Sequence, residues 1–292
     1  ALPITILKNE VFESNMIIKK CLVKVSATIS LPLLLLQPED KPTDKIVIWI
    51  NQRGKDVALK SRFEEIKTLL ANGYTVCLPD LRGMGELASD DLINHFSYDT
   101  DLSFFSIKLG ASYLGRVVLD TWRIQKSIKL LLPTAKIFIV GDSLSKQNPI
   151  HIRQDRLLVD DGLESLHIAE SFGPLVALFL TAIEPECESA IINGSLSSYG
   201  NVFKDFYFYH PVSTFVNGIA TKIDIPEICL AISPRKLVLL NTVNAKNQPI
   251  QKTSEEWNKY QKVKEFFSRN SASTPLKIIE GTISNVISEE LK

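Results

Sequence analysis

The sequence predicts an α/β protein with a mostly parallel central sheet flanked by helices on both faces. Three observations carry this. Short uninterrupted apolar runs such as KIVIWI (Lys45–Ile50) and IFIV (Ile137–Val140) suit strands covered on both sides. Segments with helical spacing of apolar residues lie between those runs. Their strand–helix–strand order calls for right-handed crossovers, which place successive strands parallel.

The elements follow in order. IIKKCLVKV and ISLPLLLLQP, within residues 16–38, read as two strands and form a small antiparallel entry at the N-terminal end. After KIVIWI, residues 58–71 carry Phe63, Ile66, Leu69 and Leu70 at helical spacing, and Asn72-Gly73 closes that helix. YTVCLPD is the next buried strand and runs into LRGMGE. A long helix over 114–132, the strand IFIV, the strand LHIA (Leu166–Ala169) and the helix SFGPLVALFLTAI follow. AIIN, KLVLLNTV, an amphipathic helix over 255–267 and the strand LKIIEG complete the pattern. With no repeat and no Pro/Gly-rich linker, residues 1–292 read as one domain, and residues 145–165 as an extra excursion before the LHIA strand.

Composition narrows the function classes. Of 292 residues, 45% are hydrophobic and 23% charged, and Lys plus Arg (33) balances Asp plus Glu (33). A neutral balance gives no electrostatic reason to expect a nucleic acid or an anionic membrane as partner. No apolar run approaches the roughly 18 residues that a spanning helix needs. Cys21, Cys77, Cys187 and Cys229 have no CxxC spacing, and the histidines do not cluster, so neither a metal nor another cofactor is expected. The chain begins at Ala1. A removed signal peptide, a tag, or an upstream part of a larger multidomain chain all fit that start. The expected location is unknown and leans to secreted or periplasmic over cytoplasmic.

Three blocks carry a family resemblance. GYTVCLPDLRGMGE (Gly73–Glu86) resembles the strand and turn "GY-x-V-x-x-x-D-x-RG-x-GE" of α/β-hydrolases of the acetyl-xylan-esterase and dipeptidyl-peptidase-like group. LHIAESFGPLVALFLTAIEP (Leu166–Pro185) resembles their nucleophile elbow with its helix, and DIPEICLAISPRKLVLLNTVNAKNQPI (Asp224–Ile250) resembles a third block of the same esterases. Together the resemblance covers most of residues 28–281 in the right order. It implies an α/β-hydrolase fold and ester hydrolysis.

In such an elbow a strand turns sharply into a helix so that a serine Oγ stands above the C-terminal edge of the sheet, in a strained conformation. Ala169-Glu170-Ser171-Phe172-Gly173 fits that pattern, with Ala169 in place of the usual first glycine, and makes Ser171 the candidate nucleophile. A plain helix cap is the other role that Ser171 would fill. By the resemblance, the backbone amides of Phe172 and of the Asn51, Gln52, Arg53 stretch form an oxyanion hole; Arg53 reads equally well as a surface residue.

Two partners are missing where the family puts them. The acid position falls at or beside Asn244, which cannot be an anion, and no histidine follows the last strand. The four histidines are His95, His151, His167 and His210. His167 is expected to pack inside the sheet. His210, in FYFYHPV, is expected to be a satisfied surface or core residue, with a place near Ser171 as the alternative.

IFIVGDSLS (Ile137–Ser145) also resembles the first block of GDSL-type esterases, with Ser143 as their nucleophile. That family needs a C-terminal Asp-x-x-His, but His210 is the last histidine and Tyr207 stands three residues before it. A strand ending in a polar turn is the preferred reading. The expectation is therefore a serine carboxylic-ester hydrolase of the carbohydrate-deacetylase type, with weak or lost activity on a small-molecule or acylated carbohydrate substrate. The alternatives are a non-catalytic pseudo-hydrolase that binds a ligand, and a GDSL-type esterase.

Overall fold

The computed structural model describes residues 4–12, 16–39, 44–89, 98–150, 166–205, 207–270 and 276–291. Its strands are β1 (Ile4–Phe12), β2 (Met16–Lys24), β3 (Ser30–Pro38), β4 (Lys45–Asn51), β5 (Tyr74–Pro79), β6 (Lys136–Asp142), β7 (Cys187–Asn193), β8 (Lys236–Leu240) and β9 (Leu276–Ile279). They form a nine-stranded sheet in the order β1-β2-β3-β5-β4-β6-β7-β8-β9. The β1–β2, β2–β3 and β3–β5 pairs are antiparallel; every pair from β5–β4 to β8–β9 is parallel. The antiparallel entry holds one strand more than the sequence suggests. β1 was hidden because its face is largely solvent-exposed (Leu7 61%, Val11 64%), so burial leaves no pattern in it.

The helices are α1 (Lys55–Ser61), α2 (Phe63–Ala71), α3 (Tyr98–Lys108), α4 (Tyr113–Leu131), α5 (Phe172–Ile183), α6 (Tyr199–Val202), α7 (Ile225–Leu230), α8 (Glu255–Asn270) and α9 (Ile283–Glu290). Alternation along β4 feeds two cores. Ile46, Ile48 and Ile50 face the cluster containing Val117 and Ile124 of α4, Leu175 and Leu178 of α5, and Val263 and Phe267 of α8. Val47 and Trp49 face the opposite cluster, with Ile66 and Leu69 of α2 and Val286 and Ile287 of α9. This is the period-two signature of a strand buried on both faces.

Two expected elements differ. The helix read over 58–71 is two helices, broken at Arg62 (φ −123°, ψ 26°). The Arg62 guanidinium is held on the Asp142 carboxylate at the end of β6, through Nε at 2.8 Å and Nη2 at 3.1 Å. The LHIA strand does not form: residues 166–170 are irregular, and His167 is exposed rather than packed in the sheet. Amides here serve loop contacts instead, as in Ala169 N–H donating to the Tyr209 carbonyl at 2.7 Å.

The Gly73–Glu86 block is held by a buried carboxylate. Asp80 accepts the Lys55 amide (2.6 Å), the Lys55 ammonium (2.7 Å) and the Glu86 amide (3.0 Å). A Cβ on Gly85 would stand 2.1 Å from Asp80 Oδ1, and its φ is +55°, so only glycine fits beside that carboxylate. Arg82 forks onto Asp120 at 3.0 and 3.2 Å, fixing the turn against α4. All four cysteines are free and buried.

Candidate active site

The elbow is built from two separated pieces. Among the described residues, β6 is the last strand before α5, so Asp142-Ser143 holds the strand end and Ser171 the helix start. The chain leaves and returns between them, with residues 151–165 outside the described set. Its two arms are tied: Leu144 N–H donates to Glu170 Oε2 (3.0 Å), and Ser145 Oγ–H to the Ile168 carbonyl (2.7 Å). Arg53 is ion-paired with the other oxygen of Glu170. A Cβ on Gly141 would lie 2.6 Å from Ala177 Cβ and 2.8 Å from Pro174 Cα, so the end of β6 touches the first turn of α5. The packing of an elbow persists although its covalent turn does not.

Ser171 sits at the N-cap of α5 with φ −77° and ψ −5°, an ordinary helical conformation. The expected strain is absent because the long return path removes the need for a sharp turn. The helix N-terminus approaches the C-terminal end of β4: a Cβ on Gly173 would be 3.1 Å from Gln52 N and 3.2 Å from the Ile50 carbonyl.

His210 reaches this serine. Ser171 Oγ and His210 Nδ1 are 2.7 Å apart, and His210 Nε2 is 2.8 Å from the Asn244 carbonyl oxygen. A carbonyl only accepts, so Nε2 carries the proton and Nδ1 is left bare to accept from the serine hydroxyl. The segment between β7 and β8 brings the ring there. Tyr209 clamps it from both sides, its carbonyl accepting from Ala169 N–H and its N–H donating to the Ala245 carbonyl at 2.8 Å. The expectation of a satisfied histidine elsewhere is corrected to a histidine on Ser171. Both groups are nearly sealed, with Ser171 0% and His210 4% exposed. Burial pushes the imidazole down to about 4, against an opposing pull from its bond to Asn244.

Asn244 belongs to the site through its backbone. Its side-chain Oδ1 accepts from Lys246 N–H (2.9 Å) and Gln248 N–H (3.0 Å), which shapes the loop after β8. The same loop is woven to the excursion. Asn148 Nδ2 donates to the His167 and Lys246 carbonyls, and Asn247 Nδ2 to the Lys146 and His167 carbonyls, all at 2.9–3.0 Å. Asn148 and Asn247 had no motif to mark them, since asparagine in a turn is ordinary.

The oxyanion-hole amides fare unequally. Phe172 N–H donates to Gln52 Oε1 at 3.2 Å. Arg53 N–H is already committed to Asn51 Oδ1 at 2.8 Å, so it is not an oxyanion donor. Ser143 lies just past β6, where its Oγ accepts from Ser145 N–H at 3.2 Å, with no histidine bonded to it among the described residues. His95 and His151 fall outside the described residues. A cleft of about 790 Å³ has Gln52, Met84, Asp99, Phe172, Phe208 and His210 on its walls, while Ser171 itself is covered and does not line it.

This fold matches solved structures along nearly the whole chain. A protein from Bacteroides fragilis assigned as an acetyl xylan esterase superposes with a TM-score of 0.66 at 13% identity, covering 95% of this chain and 69% of that one. The fold is that of the α/β-hydrolases. A glucuronoyl esterase from Solibacter usitatus matches this hydrolase fold with a TM-score of 0.58 at 13% identity, over 99% of this chain and 84% of that one. A cold-adapted esterase from an Arctic intertidal metagenomic library does so at 0.54 and 12% identity, over 98% of both chains. No family model matches the sequence, and no curated protein does.

Proposed function

We propose that the chain is a serine carboxylic-ester hydrolase working with a Ser171–His210 dyad. The observation that carries this is the 2.7 Å contact between Ser171 Oγ and His210 Nδ1. Nδ1 takes the hydroxyl proton as Oγ attacks the ester carbonyl, and the Phe172 amide receives the oxygen that becomes negative. The carbonyl re-forms, the C–O bond to the alcohol breaks, and the imidazolium returns its proton to the leaving oxygen. Water then repeats the sequence on the acyl-serine. The Asn244 carbonyl orients the ring through Nε2–H but carries no full charge, so the imidazolium is stabilised less than beside a carboxylate. Slow turnover follows. Likeness to an acetyl xylan esterase supports small-molecule or carbohydrate esters as the broad substrate class.

Trapping tests this. A fluorophosphonate incubated with the protein should add one phosphonyl group at Ser171, and His210→Ala should slow the addition by at least 10²-fold, the span usual for a general base. An unmodified Ser171 after prolonged exposure would sink the proposal.

A second reading, a non-catalytic domain that binds a ligand in the cleft, is favoured by one observation. The Phe172 amide is occupied and Ser171 is fully covered. Ligand binding with no trapping at Ser171 would select it.

A further inference from the structure

We propose that a second hollow, across Phe208 from the cleft lined by His210, holds the aliphatic acyl chain of a neutral ester, making long acyl groups better substrates than acetyl. This rests on the serine-hydrolase reading and narrows its substrate. The hollow measures about 860 Å³ and is walled by Ile107, Val202, Phe203, Phe208, Phe215 and Ile219 among others. Phe208 and Val212 line both it and the cleft walled by His210 and Phe172, so the two spaces meet at those side chains. Helix α3 spans them: Asp99 and Thr100 face the cleft, and Ile107 faces the hollow.

Charge and hydrogen bonding argue against other occupants. No lysine or arginine lines either space, so a carboxylate or phosphate on the ligand would find no counter-charge there. The charged residue lining the hollow is Asp205, which is paired with Lys246 at 2.9 Å. Asp99 in the cleft accepts from Ser213 Oγ–H at 2.8 Å. A sugar would need several donors and acceptors facing it, and, beside the exposed Asn217, the hydroxyls of Tyr199 and Thr221 in the hollow are engaged elsewhere. Tyr199 O–H donates to the Thr214 carbonyl (2.8 Å), and Thr221 Oγ–H to the Gly218 carbonyl (2.8 Å).

What remains is apolar and in contact with water. Phe203 is 75% exposed, Phe208 47% and Ile107 44%. Phe208 stands edge-on to Phe215 at 5.6 Å and separates the two spaces without being locked in the core. An aliphatic chain lying along these side chains would cover them, and covering apolar surface is the main favourable term in such binding.

The test uses the intact protein with p-nitrophenyl acetate, butyrate and octanoate, alongside calorimetric binding of 2-butanone and 2-decanone as unreactive carbonyl ligands. Each methylene buried in the hollow should raise kcat/KM or affinity by roughly fourfold. Ala220→Trp, placed to fill the exposed wall, should flatten both series and leave acetate turnover unchanged. Should that variant misfold, Phe203→Ser gives the same comparison. Chain-dependent ketone binding without turnover of any ester would leave the hollow standing and overturn the catalytic reading. Turnover or binding that ignores chain length, or that Ala220→Trp leaves unaltered, would overturn the hollow.

Discussion

Gln52 Oε1 accepts the Phe172 amide hydrogen at 3.2 Å, so a carboxamide already stands where an ester carbonyl would accept the same bond. The side chain behaves as a tethered competitor. Substrate must displace it, and the exchange sets one hydrogen bond against another. Gln52→Ala should therefore speed fluorophosphonate labelling of Ser171 by about fivefold, the equivalent of roughly 1 kcal/mol. An unchanged or slower rate would show that Gln52 supports the site instead of blocking it.

The buried imidazole predicts a pH response with a definite sign. Its folded value of about 4 lies below the usual 6.5, so the unfolded chain binds a proton that the folded chain refuses. The resulting stability is complete above pH 6.5 and is lost as pH falls toward 4. The loss should total about 3 kcal/mol, from 1.36 kcal/mol per unit. Between pH 7 and 4.5, urea melts should show wild type losing about 2.4 kcal/mol more stability than His210→Asn. Parallel curves would mean that His210 is protonated in the folded protein.

The two serines make opposite predictions. Ser143→Ala should keep all ester turnover, because among the described residues no base touches that hydroxyl, whereas Ser171→Ala should remove it. Wild-type turnover should itself fall well short of the 10 s⁻¹ typical of enzymes, since the ring lacks a carboxylate partner. A dead Ser143→Ala variant with normal melting would move the chemistry to the strand end.

Installing an acid at the expected position should fail. In Asn244→Asp the new carboxylate would take the place of Oδ1, which faces the amides of Lys246 and Gln248 and not the His210 ring. Activity should change by less than about threefold, since an exchange that keeps those two accepting contacts leaves the ring's backbone partner in place. A gain of 10²-fold, as from a genuine third member, would show that the side chain can swing to the ring.

Gly141→Ala tests the split elbow mechanically. The added methyl would meet Pro174 Cα and Ala177 Cβ at under 3 Å, so β6 and α5 must separate. Overpacking of this kind costs about 1–3 kcal/mol, readable as a lower urea midpoint. A wild-type midpoint would mean that the helix is free to move.

Much of the fold was legible because burial on both faces leaves long apolar runs, as in β4 and β6, and fixes their order. The start of α5 at Ser171 was legible because Gly173 and Pro174 belong to a local pattern. His210 was not. Its position depends on main-chain bonds from Tyr209 to Ala169 and Ala245, which join three distant segments and impose no residue type. The LHIA segment misled for the complementary reason: four residues with alternating character look like a strand whether or not a neighbour pairs with them. Asn244 does stand beside His210, but its contact is a carbonyl, which any residue there would supply.

The stitched arms around residues 144–150 and 166–170 have a consequence in chain statistics. Once their ends are fastened, the intervening length hardly enters the free energy of the fold, because doubling a loop costs only about 0.6 kcal/mol. By that rule, sequence inserted between the two fastened arms should cost the fold little for its length. Because Glu170 immediately precedes Ser171, a module grafted between the arms would act on that serine through the 166–170 arm. On the proposed reading, this arm is where a sensor could be wired to the nucleophile.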